Sequence, residues 1–268
     1  MTEDQVLQEK AKSLRRKIIT MLGASKSGHP GGSLDLCEIM AVLYFDLMKY
    51  DFKNPAWPER DYLILSKGHG APALYAVLAE GGIIGEDELL TLRRLGSRLQ
   101  GHPDMKKLPG VEASTGSLGQ GFSMSVGIAL SHKLNQRPNR VFAILGDGEL
   151  DEGLVWEAAM AAAHYRLDNL TAIIDNNGLQ IDGPNREIMD VGDIGAKFAA
   201  FGFEIVHVDG HDIPALRAAL AKAPQGRPKA VIAKTVKGKG VSFMENQVGW
   251  HGTPMKEEDT AAALAELK

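Results

Sequence analysis

The chain has 268 residues, 44% of them hydrophobic and 24% charged, with a formal net charge of −4 and a pI near 6.1. That length can bury the core of a single α/β domain, and a mildly acidic chain without a basic run suits neither nucleic acid nor an anionic membrane as partner. Its one cysteine, Cys37, excludes an internal disulfide framework, and no apolar run approaches the ~20 residues of a bilayer span; with no apolar signal segment at the charged N-terminus, a cytoplasmic setting is expected.

"EDQVLQEKAKSLRRKIITML" carries apolar residues at helical spacing and predicts a helix ending near Gly23. "LDLCEIMAVLYFDLM" predicts a second, largely buried helix, with Cys37 as an inert core thiol. "DYLILS" is a short apolar run, "APALYAVLAE" resumes a helix, and "DELLTLRRLG" predicts another. From Gln100 to Gly121 the chain is rich in Gly, Pro and Ser and reads as a long loop, followed by the small-residue helix "GFSMSVGIALSHKLNQ". Beyond Arg140 the runs "RVFAILGD", "LTAIIDNN", "FEIVHVDG" and "KAVIAKTV" have strand length and composition. Helical stretches alternate with them, and "EEDTAAALAELK" closes the chain as a terminal helix. The alternation implies an α/β fold, a parallel sheet with helices on both faces, as a single domain over residues 1–268.

Open parallel sheets bind ligands beyond the carboxyl ends of their strands. Those ends here read "SKGHG", "LGDGE", "IDNNG" and "VDGHD", polar residues set among glycines. Asp147 and Asn177 each follow an apolar run, one strand–helix–strand interval apart. Asp plus Asn, with a main-chain carbonyl, is a hard oxygen set suited to Mg²⁺ or Ca²⁺, and so few protein ligands imply a phosphate-bearing partner for the metal. Asp-Gly and Asn-Gly are also turn dipeptides, and each alone reads more readily as a turn. Placed at matched strand ends, the two readings stand level. Glu149, Asp151 and Glu152 fall where a helix begins, which the helix dipole favours.

His29, His69, His102 and His251 each adjoin a glycine in a loop-like segment. Solvated loop histidines are one reading and a shared pocket is the other; their spacing matches no zinc pattern. His132, His164, His207 and His211 are expected to be structural. No G-x-G-x-x-G opens a helix after the first strand, which argues against a nicotinamide-binding fold.

"GDGELDEG" followed by "IIDNNGLQIDG" resembles the thiamine diphosphate (ThDP) fingerprint. "SGHPGGSLDL", "LSKGHGAPALYAVL", "GHPDMKKLPGVEASTGSLGQG" and "WHGTP" are similar, in order, to segments of transketolases. The resemblance covers nearly the whole chain and only the cofactor-diphosphate (PP) domain of that family. It implies the N-terminal subunit of a split transketolase that reversibly transfers a two-carbon ketol unit from a ketose to an aldose, often as phosphates, through a cofactor-stabilised carbanion. An alternative within the superfamily is a deoxyxylulose-phosphate synthase-like component, and one outside catalysis is a ThDP-binding module.

Carried over residue by residue, the resemblance makes Asp147 and Asn177 metal ligands, with the main-chain carbonyl of Leu179 as a third, for Mg²⁺ (Ca²⁺ or Mn²⁺ as substitutes). Gly148 lets the backbone approach the diphosphate. Gly116, Ser117 and Leu118 contact the aminopyrimidine, Ser117 standing where many one-chain members carry proline. His29 and His102 bind the donor sugar near the reacting carbon, while His69 and His251 bridge cofactor and substrate; His29, His102 and His251 are the candidate catalytic residues, moving protons near neutral pH. Glu152 is expected at a subunit contact and Lys234 near the site. The glutamate that activates the cofactor's pyrimidine ring is expected from a separate C-terminal subunit carrying the pyrimidine and C-terminal domains, in an α2β2 heterotetramer. A pentose phosphate role and a catabolic route for a branched or sulfonated sugar are both open.

Overall fold

Thr2 accepts a hydrogen bond from the Gln5 N–H while the Gln5 side chain accepts from the Thr2 N–H, a capping box that starts helix α1 (Glu3–Ser25) in the computed structural model, which describes residues 1–268. The helix buries Leu7, Ala11, Leu14, Ile18 and Leu22, a stripe at three- and four-residue spacing. The helix expected over "LDLCEIMAVLYFDLM" starts earlier and is broken. A turn of helix α2 (Gly31–Leu34) is followed by α3 (Cys37–Val42), which ends in a π-helical turn over Leu43–Leu47. The break falls at Asp35 and Leu36, where the Asp35 carboxylate turns inward to a buried lysine.

Strand β1 (Tyr62–Leu65) leads into α4 (Ala71–Glu80). "DELLTLRRLG" does not form the helix its spacing predicts. Only α5 (Glu86–Leu89) is helical. Leu89 and Leu92 are buried at helical spacing, but Arg93 adopts a left-handed conformation (φ 61°) and its N–H bonds the Leu99 carbonyl, so the chain doubles back. The remaining elements follow the expected order: α6 (Gln120–Leu134), β2 (Val141–Gly146), α7 (Gly153–His164), β3 (Leu170–Asn176), a turn α8 (Asn185–Ile188), α9 (Ile194–Phe201), β4 (Glu204–Asp209), α10 (Ile213–Ala221), β5 (Lys229–Lys234) and α11 (Glu257–Glu266). No helix is long and apolar enough to cross a membrane.

All five strands are parallel, in the order β1-β2-β3-β5-β4. Successive strand residues feed opposite faces. Phe142 and Ile144 join a core with α1, α3, α4 and α10, whereas Val141, Ala143 and Leu145 join a second core with α6, α7 and α9. The expected sheet with helices on both faces is therefore the observed one. The register sets Gly146 beside Asp175, so the segments leaving β2 and β3 emerge side by side.

A buried ion cluster ties the first face to the loop after β5. Arg15 and Glu38 pair at 2.6 Å, and His211 Nδ1 lies 3.0 Å from the same Glu38 oxygen. His211 Nε2 accepts the Val236 N–H, so Nδ1 carries the proton and donates to Glu38. Arg15 Nε donates to the Lys239 carbonyl. Burial pushes the Glu38 carboxyl up, but His211 and Arg15 outweigh it and hold it at about 2. Of the other histidines expected to be structural, His132 is buried against Tyr62, His207 approaches Gly195 and His164 lies exposed beside Tyr165.

Candidate active site

The carboxyl ends of β1, β2 and β3 surround a half-open cleft of about 560 Å³. Its walls include Asp147, Gly148, Asn177 and Leu179 together with His69, Leu118, Lys237 and His251. Two backbone seams shape it. A Cβ on Gly121 would stand 2.5 Å from Ser66 Cα, and one on Gly68 would stand 2.7 Å from the Gly116 nitrogen, so the segment after β1 packs main chain on main chain against the first turn of α6 and the loop before it. Gly116 itself has φ 153°, and a Cβ there would press on the His102 ring at 3.2 Å. Of Gly116, Ser117 and Leu118, only Leu118 lines the cleft.

Asp147 directly follows β2 and is buried. Its Oδ1 accepts the Gly148 N–H at 2.8 Å and its Oδ2 accepts the Gly178 N–H. Burial raises its pKa, the Asp175 charge adds to this, and the two amides pull the other way. Asn177 Oδ1 accepts the Leu179 N–H at 2.9 Å, and the Leu179 carbonyl accepts from Lys237 Nζ at 3.1 Å. One carboxylate, one carboxamide and one main-chain carbonyl therefore belong to residues that line the same cleft, the last already meeting Lys237. Nowhere do three His, Cys, Asp or Glu side chains gather as a metal cluster. The donor set is oxygen, which fits a hard cation such as Mg²⁺ and not zinc.

The four glycine-flanked histidines converge. The His29 ring lies 5.2 Å from His69, 5.4 Å from His251 and 6.4 Å from His102, and His69 and His251 are 5.2 Å apart. Burial lowers His29 to about 4, helped by the Arg93, His102 and Lys237 charges. It lowers His251 to about 3, helped by Lys237 and His29, and carries His69 well below its ordinary range. His102 is lowered by burial and then by Arg93. At neutral pH all four imidazoles are uncharged in this chain, ready to donate and accept hydrogen bonds. Burial comes first for each ring, and the cations Lys67, Arg93 and Lys237 add to it.

Spacing alone puts Glu149 among the helix-start acids, and the structure does otherwise. A 3₁₀ turn over Gly148–Asp151 swings its side chain under the strand end, where it is 2% exposed. There it accepts the Gly119 N–H at 2.8 Å, the Gly146 N–H at 3.1 Å and the Ser66 hydroxyl, clasping three segments of the cleft wall. Asp151 and Glu152 are exposed. Lys234 is exposed at the end of β5, outside the cleft; the lysine of that segment that enters it is Lys237, buried and 3.0 Å from His251 Nδ1. Lys67 and Asp175, in the lining of the cleft, and Asp35 behind them carry no signal in the sequence, because a buried charge is recognisable only by a partner distant along the chain.

The family model described as transketolase, thiamine diphosphate binding domain, matches residues 6–267. The 6-deoxy-6-sulfo-D-fructose transketolase subunit SqwG of Clostridium sp. (strain MSTE9) is 47% identical over 271 residues, covering 100% of this chain and 98% of that protein. An apulose-4-phosphate transketolase subunit of Actinobacillus succinogenes is 44% identical, with coverages of 98% and 96%. Transketolase of Homo sapiens is 43% identical over 266 residues, and this chain spans only 42% of its length. The crystal structure of transketolase from Campylobacter jejuni superposes with a TM-score of 0.92 at 35% identity, over 100% of this chain and 43% of that one.

Proposed function

Because the chain belongs to the transketolase family and matches its thiamine diphosphate-binding domain, we propose that it is the N-terminal subunit of a two-subunit transketolase, moving a two-carbon ketol unit reversibly from a ketose donor to an aldose acceptor. The observation that carries this reading is a chain of four neighbouring histidine rings, two of which, His69 and His251, line the cleft with Asp147, Asn177 and Leu179, while His29 packs on both and His102 lies beyond it. Bound ThDP supplies the nucleophilic carbon and the electron sink that two-carbon transfer needs. Asp147, Asn177 and the Leu179 carbonyl hold the Mg²⁺ that accompanies the diphosphate, and Gly148 leaves room for the phosphates. Gly116, Ser117 and Leu118 border the cofactor. His29 and His102 bind donor-sugar hydroxyls, and His69 and His251 stand between cofactor and sugar. As neutral rings, His29, His102 and His251 shuttle protons between sugar oxygens without leaving a buried charge.

The end-to-end relatives are named as subunits, and the one-chain transketolase of Homo sapiens is more than twice the length of the part matched. The pyrimidine-binding and C-terminal domains are accordingly assigned to a partner chain, with active sites at the interface of an α2β2 assembly in the cytoplasm. The relatives' names, a sulfofructose and an apulose 4-phosphate enzyme, support a specialised sugar route, with a pentose phosphate role as the competitor. Mixing the chain with its partner subunit, ThDP, Mg²⁺ and a panel of ketoses and ketose phosphates tests all of this. Aldose release is expected only when both chains are present. Transfer by this chain alone, or none from any ketose with both chains, would overturn the proposal.

A further inference from the structure

Asn177 differs from the other two oxygen donors in one respect. A half-turn of its carboxamide exchanges the oxygen for an NH₂ group, which repels a cation. Something must decide which atom faces the cleft. Its Nδ2 lies 3.0 Å from Asp35 Oδ2 and 3.2 Å from Asp175 Oδ2, both acceptors, while its Oδ1 accepts the Leu179 N–H at 2.9 Å. Flipping it would set oxygen against two carboxylates and NH₂ against an N–H, wrong at both ends.

Both carboxyls are fully buried, and burial and the Asp175 charge push Asp35 up to about 8, so ionising the pair needs a cation beside it. Lys67, 1% exposed, provides it. Its ammonium has three N–H groups and meets three acceptors, the Gly32 carbonyl at 2.8 Å, Asp35 Oδ1 at 3.3 Å and Asp175 Oδ2. The Thr235 hydroxyl donates to the remaining Asp175 oxygen. Every polar atom of the cluster is satisfied, so no member rotates freely. The cluster joins the α2–α3 break, the end of β1, β3 and the segment after β5, and Lys67 and Asp175 line the cleft beside Asn177.

We infer that Lys67, Asp35 and Asp175 form a positioning device whose task is to hold Asn177 with Oδ1 toward the cation. It rests on Asn177 being a cation ligand. A cluster serving stability alone would have no reason to aim two carboxylates at one carboxamide, since buried charges add little over apolar packing.

Asp35→Asn keeps the shape of the cluster. Its new oxygen still faces Lys67, so its NH₂ faces Asn177 and favours the flipped carboxamide. Three measurements on the full chain, alone and with its partner subunit, test the device. In ¹⁵N spectra, the Asn177 side-chain NH₂ pair, identified by its loss in Asn177→Ala, is expected to be protected from solvent exchange; free exchange in the native chain would overturn the inference whatever the variants do. In calorimetric titration with Mg²⁺ and ThDP, Asp35→Asn is expected to lose about 10- to 100-fold in affinity, the range for residues that orient a metal ligand. The double variant Asp35→Asn, Asn177→Asp is expected to regain most of it, because a carboxylate at 177 shows the cation an oxygen in either orientation. Rescue is not expected from a merely structural Asp35. Native affinity in Asp35→Asn alongside weakened binding in Asn177→Ala would refute the device alone, as would failure of the rescue in a folded double variant. Native affinity in Asn177→Ala would remove the ligand assignment itself.

Discussion

Replacing Glu38 by glutamine removes one charge from the Arg15–Glu38–His211 cluster and little volume. Glu38 is 5% exposed, and its carboxyl is displaced from the ordinary 4.5 to about 2. At ~1.4 kcal/mol per pH unit, that displacement of about 2.5 corresponds to about 3 kcal/mol of folding stability. The carboxyl is depressed in the folded state, so its stabilisation is complete well above pH 4.5 and is lost as pH falls toward 2. At pH 3.5 about 2 kcal/mol remains by the same relation. Leaving Arg15 buried without its anion costs a similar ~3–5 kcal/mol. Urea unfolding of native and Glu38→Gln chains at pH 7 and pH 3.5 is expected to show a gap of about 3 kcal/mol that narrows by roughly a third. A gap under 1 kcal/mol at pH 7, or one that does not narrow, would refute the reasoning. The cluster also grips both sides of Lys237, through the Val236 N–H and the Lys239 carbonyl, so the variant is expected to loosen the lysine that touches His251.

Asp147→Ala is expected to abolish Mg²⁺-dependent ThDP binding; unchanged calorimetric affinity would remove the metal assignment. His102→Ala is expected to reduce turnover in the two-chain assay more than ThDP affinity, and equal losses would move His102 to the cofactor's surroundings. Lys237→Met keeps the buried stem but removes a positive charge 3.0 Å from His251 Nδ1, so the His251 pKa is expected to rise from about 3 yet stay below the ordinary 6.5, because burial persists. An imidazole titration by NMR that stays at about 3 would show that the charge is not felt. Gly121→Ala forces a methyl against Ser66 Cα and is expected to cost ~1–3 kcal/mol in thermal unfolding; an unchanged midpoint would mean that α6 can back away from β1.

The strands were legible because a parallel sheet covered on both faces needs continuous apolar runs, and "RVFAIL" and "LTAII" are such runs. The strand-end aspartate and asparagine were legible for the same reason, since locating the strand ends located them. "DELLTLRRLG" misled because Leu89 and Leu92 keep helical spacing while a left-handed Arg93 reverses the chain, a choice made by the Leu99 carbonyl and not by local propensity. Glu149 misled because acids at a helix start have a sufficient local explanation, and its contacts with Gly119, Gly146 and Ser66 come from a tight turn that spacing does not reveal. Lys237, rather than Lys234, enters the cleft because two residues of backbone after β5 decide which lysine turns inward.

The main-chain seams at Gly68–Gly116 and Gly121–Ser66 have a consequence for how such a catalyst diversifies. Beside the cleft, the chain meets itself where an added Cβ would press on main chain, at Gly68 and Gly121. Of the residues that line the cleft, Ile181 is 66% exposed, while Gln180 is half-buried and reaches Asp151. A substitution is therefore accommodated without moving backbone at Ile181 and not at Gly68 or Gly121.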